Sequence, residues 1–99
     1  MNFVQIVGYI LEIPVRETNG SAEKFARFNI EVCSNFRQAD GSYAKVILPV
    51  RIWHGAHSSI IHNVKINDTI AIKGRLDFDE LGMLVIAEQF ERLRFREYP

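Results

Sequence analysis

Apolar residues recur at every second position through most of this chain, a period that leaves little room for anything but β-structure. In residues 24–36, Phe28, Ile30 and Val32 alternate with Arg27, Asn29 and Glu31, which reads as a half-buried strand. In 43–53, Val46, Leu48, Val50 and Ile52 share one face; Lys45, Ile47, Pro49, Arg51 and Trp53 share the other. Pro49 has no N–H to give to a ladder, so a bulge or an edge position is expected there. In 69–78, Ile70, Ile72 and Leu76 point inward while Lys73, Arg75 and Asp77 point outward. A last run, 83–95, opens apolar and then mixes with Arg92 and Arg94.

The opening run, 2–13, departs from this alternation. It is apolar on both parities, with Phe3, Val7 and Tyr9 on one and Val4, Ile6 and Ile10 on the other, as in strands covered on both faces. Gly8 within it predicts a bulge or sharp bend, the device small barrels use at corners. Turn chemistry separates the runs. Residues 14–22 read as a polar loop with Asn19-Gly20, 38–41 end in Asp40-Gly41, and 79–82 end in Gly82. Only 55–64 has helical spacing, through Ala56, Ile60, Ile61 and Val64, and so short a helix needs tertiary packing to persist. Three strands, a short helix and two more strands make the layout of the OB-fold. That is an all-β, five-stranded Greek-key barrel, with the helix between the third and fourth strands plugging its bottom.

The 99 residues make one domain, 1–99, and 47% hydrophobic content is enough for a core. A domain this small gains from association. Cys33 is the lone cysteine, which excludes an internal disulfide and suits a reducing cytoplasm. No apolar stretch nears the ~20 residues of a membrane span. The first fourteen residues lack a basic start and are interrupted by Gln5 and Glu12, so they read as a strand rather than a signal peptide. Twelve basic residues balance twelve acidic ones, which weighs against a nucleic-acid binder. The distribution weighs the other way. From Arg37 to Arg75 there are six basic residues against two acidic ones, a local excess of +4.

Catalysis finds no support in the pattern. Cys33 is mid-strand, there is no glycine-rich phosphate loop, and no paired-carboxylate or Ser–His–Asp spacing emerges. His54, His57 and His62 have no further carboxylate or thiol close in sequence, so neither a metal nor a cofactor is expected.

The ordered set of strands resembles the bacterial single-stranded DNA-binding protein family over nearly the whole chain. The segments are FVQIVGYI at 3–10, FARFNIEV at 25–32, VRIW at 50–53, TIAIKGRL at 69–76 and VIAE at 85–88. The segments HNVKIND at 62–68 and LVIAEQ at 84–89 are equally similar to the primosomal replication proteins of the same fold, which bind single strands as dimers. The resemblance implies non-catalytic binding of single-stranded DNA in replication, repair or recombination. A primosome-type assembly module, with weak DNA binding and protein interaction as its main role, is the alternative. Two features depart from the first family. The chain stops at Pro99 without an acidic C-terminal tail, so recruitment of replication proteins through such a tail is not expected. The last hairpin is short and carries Asp77, Asp79 and Glu80, which oppose phosphate where the family's hairpin contacts DNA.

Binding unpaired bases without sequence preference needs aromatic faces for stacking, worth ~1–3 kcal/mol per base, and cations for the backbone. Lys45, Arg51 and Trp53 share the outward parity of one strand and meet both needs. An aromatic at a strand end also serves barrel packing; the resemblance favours stacking for Trp53. It also places Phe36 among the stacking residues, although its parity is that of the core and exposure requires a bend before it. Lys73, Arg75, Arg37 and Tyr43 extend the candidate set, and Phe78 is a further aromatic. Phe3, Gln5, Val7 and Tyr9 form the face expected to pair copies into a homo-oligomer, with a tetramer favoured over a dimer.

Overall fold

The computed structural model describes residues 2–17, 25–53 and 64–93, without the side chains of Asn35 and Phe36. Six strands follow in chain order: β1 (Val4–Ile10), β2 (Val15–Arg16), β3 (Phe25–Arg37), β4 (Tyr43–Trp53), β5 (Thr69–Asp79) and β6 (Gly82–Arg92). They hydrogen-bond in the order β1-β5-β6-β4-β3-β2, and β1 also pairs with β3. Five strands thus close into a barrel, with β2 appended to β3. Among the described residues, only β4 and β6 pair in parallel. This topology fits the OB-fold.

Closure happens at Gly8. β1 lies against β5 from Val4 to Tyr9 and against β3 at Tyr9 and Ile10. A Cβ at Gly8 would stand 2.7 Å from the carbonyl oxygen of Glu31 in β3. Glycine is what lets β1 turn from one neighbour to the other at this distance, as its place in the run predicted.

The core is the inward row of each strand. Ile10, Ala26, Phe28, Ile30, Val50, Ile52, Ile70, Ile72, Val85 and Ala87 are fully or almost fully buried, with Val4, Ile6, Val32, Leu48, Leu76 and Phe90 packed partly buried around them. Each large side chain removed from water contributes roughly 1.5–3 kcal/mol. Val46 breaks the expectation set by its parity. It is exposed, because the β3–β4 hairpin runs on beyond the barrel wall.

Other expectations meet mixed outcomes. Residues 14–22 are not all loop: Val15 and Arg16 pair with Arg27 and Ala26 as β2, too short to carry a periodic signal. No bulge forms at Pro49; β3 and β4 keep register from Phe25↔Trp53 to Cys33↔Lys45. Pro49 stands just before the stretch, Val50 to Ile52, where β4 pairs with β6, so the edge alternative is the one adopted. The register shift lies instead between Cys33 and Arg37. The helix expected at 55–64 falls almost wholly outside the described residues, and none of the described residues is helical. Among them, no helix is long and apolar enough to cross a membrane.

Candidate nucleic-acid interface

Antiparallel pairing of β3 with β4 sets outward residues opposite one another. Phe25 faces Trp53, Arg27 faces Arg51, Asn29 faces Pro49, Glu31 faces Ile47 and Cys33 faces Lys45. Nine residues of strand make this a ribbon roughly 27 Å long on the outside of the barrel. In OB-folds generally, this two-strand face and the loops beside it take oligonucleotides.

One end of the ribbon is aromatic and cationic. The rings of Phe25 and Trp53 lie 4.8 Å apart, tilted by 44°. Trp53 still exposes 45% of its surface. The Arg51 guanidinium sits 5.1 Å from the Phe25 ring centroid, a cation–π arrangement.

Both arginines are held by carboxylates from outside the ribbon. Arg51 donates from Nε and Nη2 to the two oxygens of Glu17, at 2.7 and 2.8 Å. Glu17 follows β2, and its own N–H donates to the carbonyl of Phe25. Asp79, the last residue of β5, accepts from Arg27 Nη1 and lies 3.5 Å from Arg51 Nη2. The hydrogen bond from Arg27 holds the Asp79 carboxyl below its usual range, assisted by the Leu81 N–H and by the charges of Arg27 and Arg51. The hydrogen bond to Glu17 raises the Arg51 guanidinium above its ordinary value. Two positive and two negative charges therefore meet beside the aromatic pair.

The other end of the ribbon is more open. Lys45 is exposed, 3.8 Å from Glu31. Past the register shift, Arg37 faces Tyr43, with its guanidinium 5.5 Å from the ring centroid and Nε donating to Tyr43 Oη at 3.4 Å. The turn between the strands is tied by Asp40, which accepts from the Ser42 N–H and hydroxyl. The Phe36 backbone belongs to β3, but its side chain lies outside the described residues.

The remaining candidates are elsewhere. Lys73 and Arg75 point outward from β5, and β6 separates them from β4. Arg75 approaches Glu88 at 3.4 Å. Lys73 lines a shallow depression of about 340 Å³ with Ala71, Gln89, Phe90 and Glu91. Phe78 is highly exposed near the tip of the β5–β6 hairpin. Gln5, Val7 and Tyr9 point outward on β1 and Phe3 stands exposed just before it; the three apolar ones are 69% (Phe3), 52% (Val7) and 43% (Tyr9) exposed. The barrel itself thus leaves this row uncovered. His54, His57 and His62 lie outside the described residues, and among those described no group of three or more His, Cys, Asp or Glu is placed to hold a metal.

Sequence reasoning missed Phe25, Arg27, Glu17 and Asp79 as members of this site. Parity put Arg27 outward, but only the β3–β4 register puts it beside Arg51.

No protein-family model matches the chain, and no curated protein does. Solved structures do. The small single-stranded DNA-binding protein of Streptomyces coelicolor superposes with a TM-score of 0.67 at 14% identity, over 91% of this chain and 90% of that one. The N-terminal domain of PriB from Thermoanaerobacter tencongensis, a dimeric structure, gives 0.65 at 17% identity, over 95% and 98%. The Plasmodium falciparum SSB in complex with ssDNA gives 0.70 at 11% identity, over 95% and 96%. This chain therefore has the fold of the single-stranded DNA-binding proteins and of PriB.

Proposed function

We propose that this protein binds single-stranded DNA without catalysing a reaction and with little sequence preference, along the outer face of β3 and β4. The observation that carries the reading is Trp53, 45% exposed at the end of β4, backed by Phe25 and set beside Arg51. A base stacks on the exposed part of the indole. The strand then follows the ribbon toward Lys45 and Arg37, whose cations meet backbone phosphates, with Tyr43 beside Arg37. Phe36 and Phe78 are further stacking residues in this scheme, and Lys73 with Arg75 offers a second phosphate track on the β5 wall. The fold shared with proteins whose structures are described as single-stranded DNA-binding, one of them solved with ssDNA, supports the same reading.

The apolar row of Phe3, Val7 and Tyr9, with Gln5 among them, is covered by a second copy of the chain. A tetramer is the favoured assembly and a dimer the alternative. The setting is replication, repair or recombination in the cytoplasm.

A second reading has its own observation. Phe78 and Leu81 stand exposed on the β5–β6 hairpin beside Asp77 and Glu80. An acidic, apolar-tipped hairpin suits a protein partner in replication restart better than it suits a phosphate backbone. Trp53→Ala separates the two. If the ribbon binds DNA, the affinity for a labelled oligo(dT), followed by anisotropy, falls about five- to 150-fold, the loss of ~1–3 kcal/mol of stacking. Unaltered affinity in a folded variant rejects the ribbon as the binding face.

A further inference from the structure

Resting on that reading of the β3–β4 face, we propose that Glu17 and Asp79 are built-in stand-ins for phosphate. Single-stranded DNA engages Arg51 and Arg27 only by exchanging these two carboxylates for its own backbone phosphates.

The geometry supports the exchange. Glu17 presents both oxygens to Arg51, on Nε at 2.7 Å and Nη2 at 2.8 Å. A phosphate docks on a guanidinium through the same two-pronged arrangement. Asp79 reaches both arginines, accepting from Arg27 Nη1 and standing 3.5 Å from Arg51 Nη2. Arg51 is also held over the Phe25 ring at 5.1 Å, so part of its position does not depend on the carboxylate. A nucleotide whose base stacks on Trp53 places its phosphates near this guanidinium, two residues back along β4.

Charge supports it as well. Two arginines against two carboxylates leave this part of the face neutral. The carboxylates come from 34 and 52 residues away in sequence and take no part in the β3–β4 ladder. Glu17→Gln and Asp79→Asn keep an acceptor oxygen for each arginine while removing the negative charge, so the barrel is expected to persist at some cost in stability. Their expected effect falls on binding. Each phosphate that meets an arginine releases counterions condensed on the DNA, but the Glu17 and Asp79 carboxylates it displaces gather cations in turn, so net release is small and binding here depends only weakly on salt. Uncompensated arginines restore that dependence, by about 0.7 in the log–log salt slope for each new phosphate contact.

The test is the double variant Glu17→Gln with Asp79→Asn, nearly isosteric and titrated with labelled oligo(dT) at low and moderate salt beside the unaltered protein. Its circular dichroism and melting are checked first. The expected result is tighter binding at low salt, by about fivefold for each carboxylate removed, with a steeper salt slope. If the double variant is unfolded, Glu17→Gln alone carries the test, because Glu17 makes the two-pronged contact. A folded variant that binds no tighter, while the unaltered protein binds in a Trp53-dependent way, overturns the exchange and leaves the binding face standing. Absence of binding by both proteins, or binding indifferent to Trp53→Ala, overturns the reading of the face and this inference with it.

Discussion

Replacing Gly74 with alanine is expected to prevent this chain from folding. Gly74 is buried in β5, opposite Val4 of β1 on one side and Ala87 of β6 on the other. The β5–β6 register shifts between Lys73 and Gly74, and the two backbones come very close at this point. A Cβ at Gly74 would lie 1.8 Å from the Ile86 carbonyl oxygen, 2.9 Å from its carbon and 3.2 Å from the Ala87 Cα. All three are backbone atoms of a central strand, so no side chain can swing aside. Relief requires parting β5 from β6, which breaks ladder bonds and opens the core behind Ile72 and Ala87. Single substitutions that cost more than about 4–5 kcal/mol are exceptional, and this one reaches that range. Small domains hold only about 5–15 kcal/mol in total. Far-UV circular dichroism and thermal melting of Gly74→Ala should show no cooperative transition near that of the parent. A native-like melt would mean that β5 and β6 are not packed at this distance.

The second large effect is expected at Arg92. The turn at Lys65–Asp68 leads into β5, and in it the Asp68 N–H donates to the Lys65 carbonyl. Asn67 there adopts a left-handed φ of 74°. The turn is stitched to Ile10 by two backbone hydrogen bonds, of 3.0 and 2.7 Å. Asp68 sits inside it, with 1% of its surface exposed. Its carboxylate accepts from the Lys65 N–H at 2.8 Å and from Arg92 Nε at 2.8 Å. The Arg92 side chain is itself 38% exposed. The two partners are therefore unequal. Arg92→Ala strands a buried carboxylate, at a cost of about 3–5 kcal/mol. Asp68→Ala strands a guanidinium that can turn to water and one backbone N–H, at a cost of about 1–3 kcal/mol. Urea unfolding should therefore show a lower midpoint for Arg92→Ala than for Asp68→Ala, with similar slopes. The reverse order would contradict the burial of Asp68.

The fold was largely legible in the sequence because alternation reports which face is buried. Phe28 and Ile30, Val50 and Ile52, and Ile70 and Ile72 all point where their parity put them. Gly8 announced the closing bend, because few other contexts call for glycine inside an apolar strand. Val46 misled because parity cannot say how far a hairpin extends past the barrel. β2 is two residues long and leaves no period to read.

The candidate site was legible only in part. Parity gives a side, whereas a site needs register and tertiary closure. Arg51 and Trp53 were visible together because they share a strand. Phe25 opposite Trp53, and Arg27 opposite Arg51, follow from a register that no single run contains. The acids on the last hairpin were read as opposing phosphate. In the fold Asp79 is turned back onto Arg27 and Arg51 instead, and Glu17 joins it from the far side of β3. The zero net charge of the chain thus has a local counterpart at the proposed interface. If the proposed exchange holds, binding at this face depends only weakly on salt.

Trp53 is the single tryptophan of the chain, so its fluorescence reports this face and nothing else. Titration with oligo(dT) at low salt should quench that emission in a saturable way, as bases cover the exposed part of the indole. An emission that stays unchanged to saturating oligonucleotide, with no retarded band on a native gel, would contradict the account.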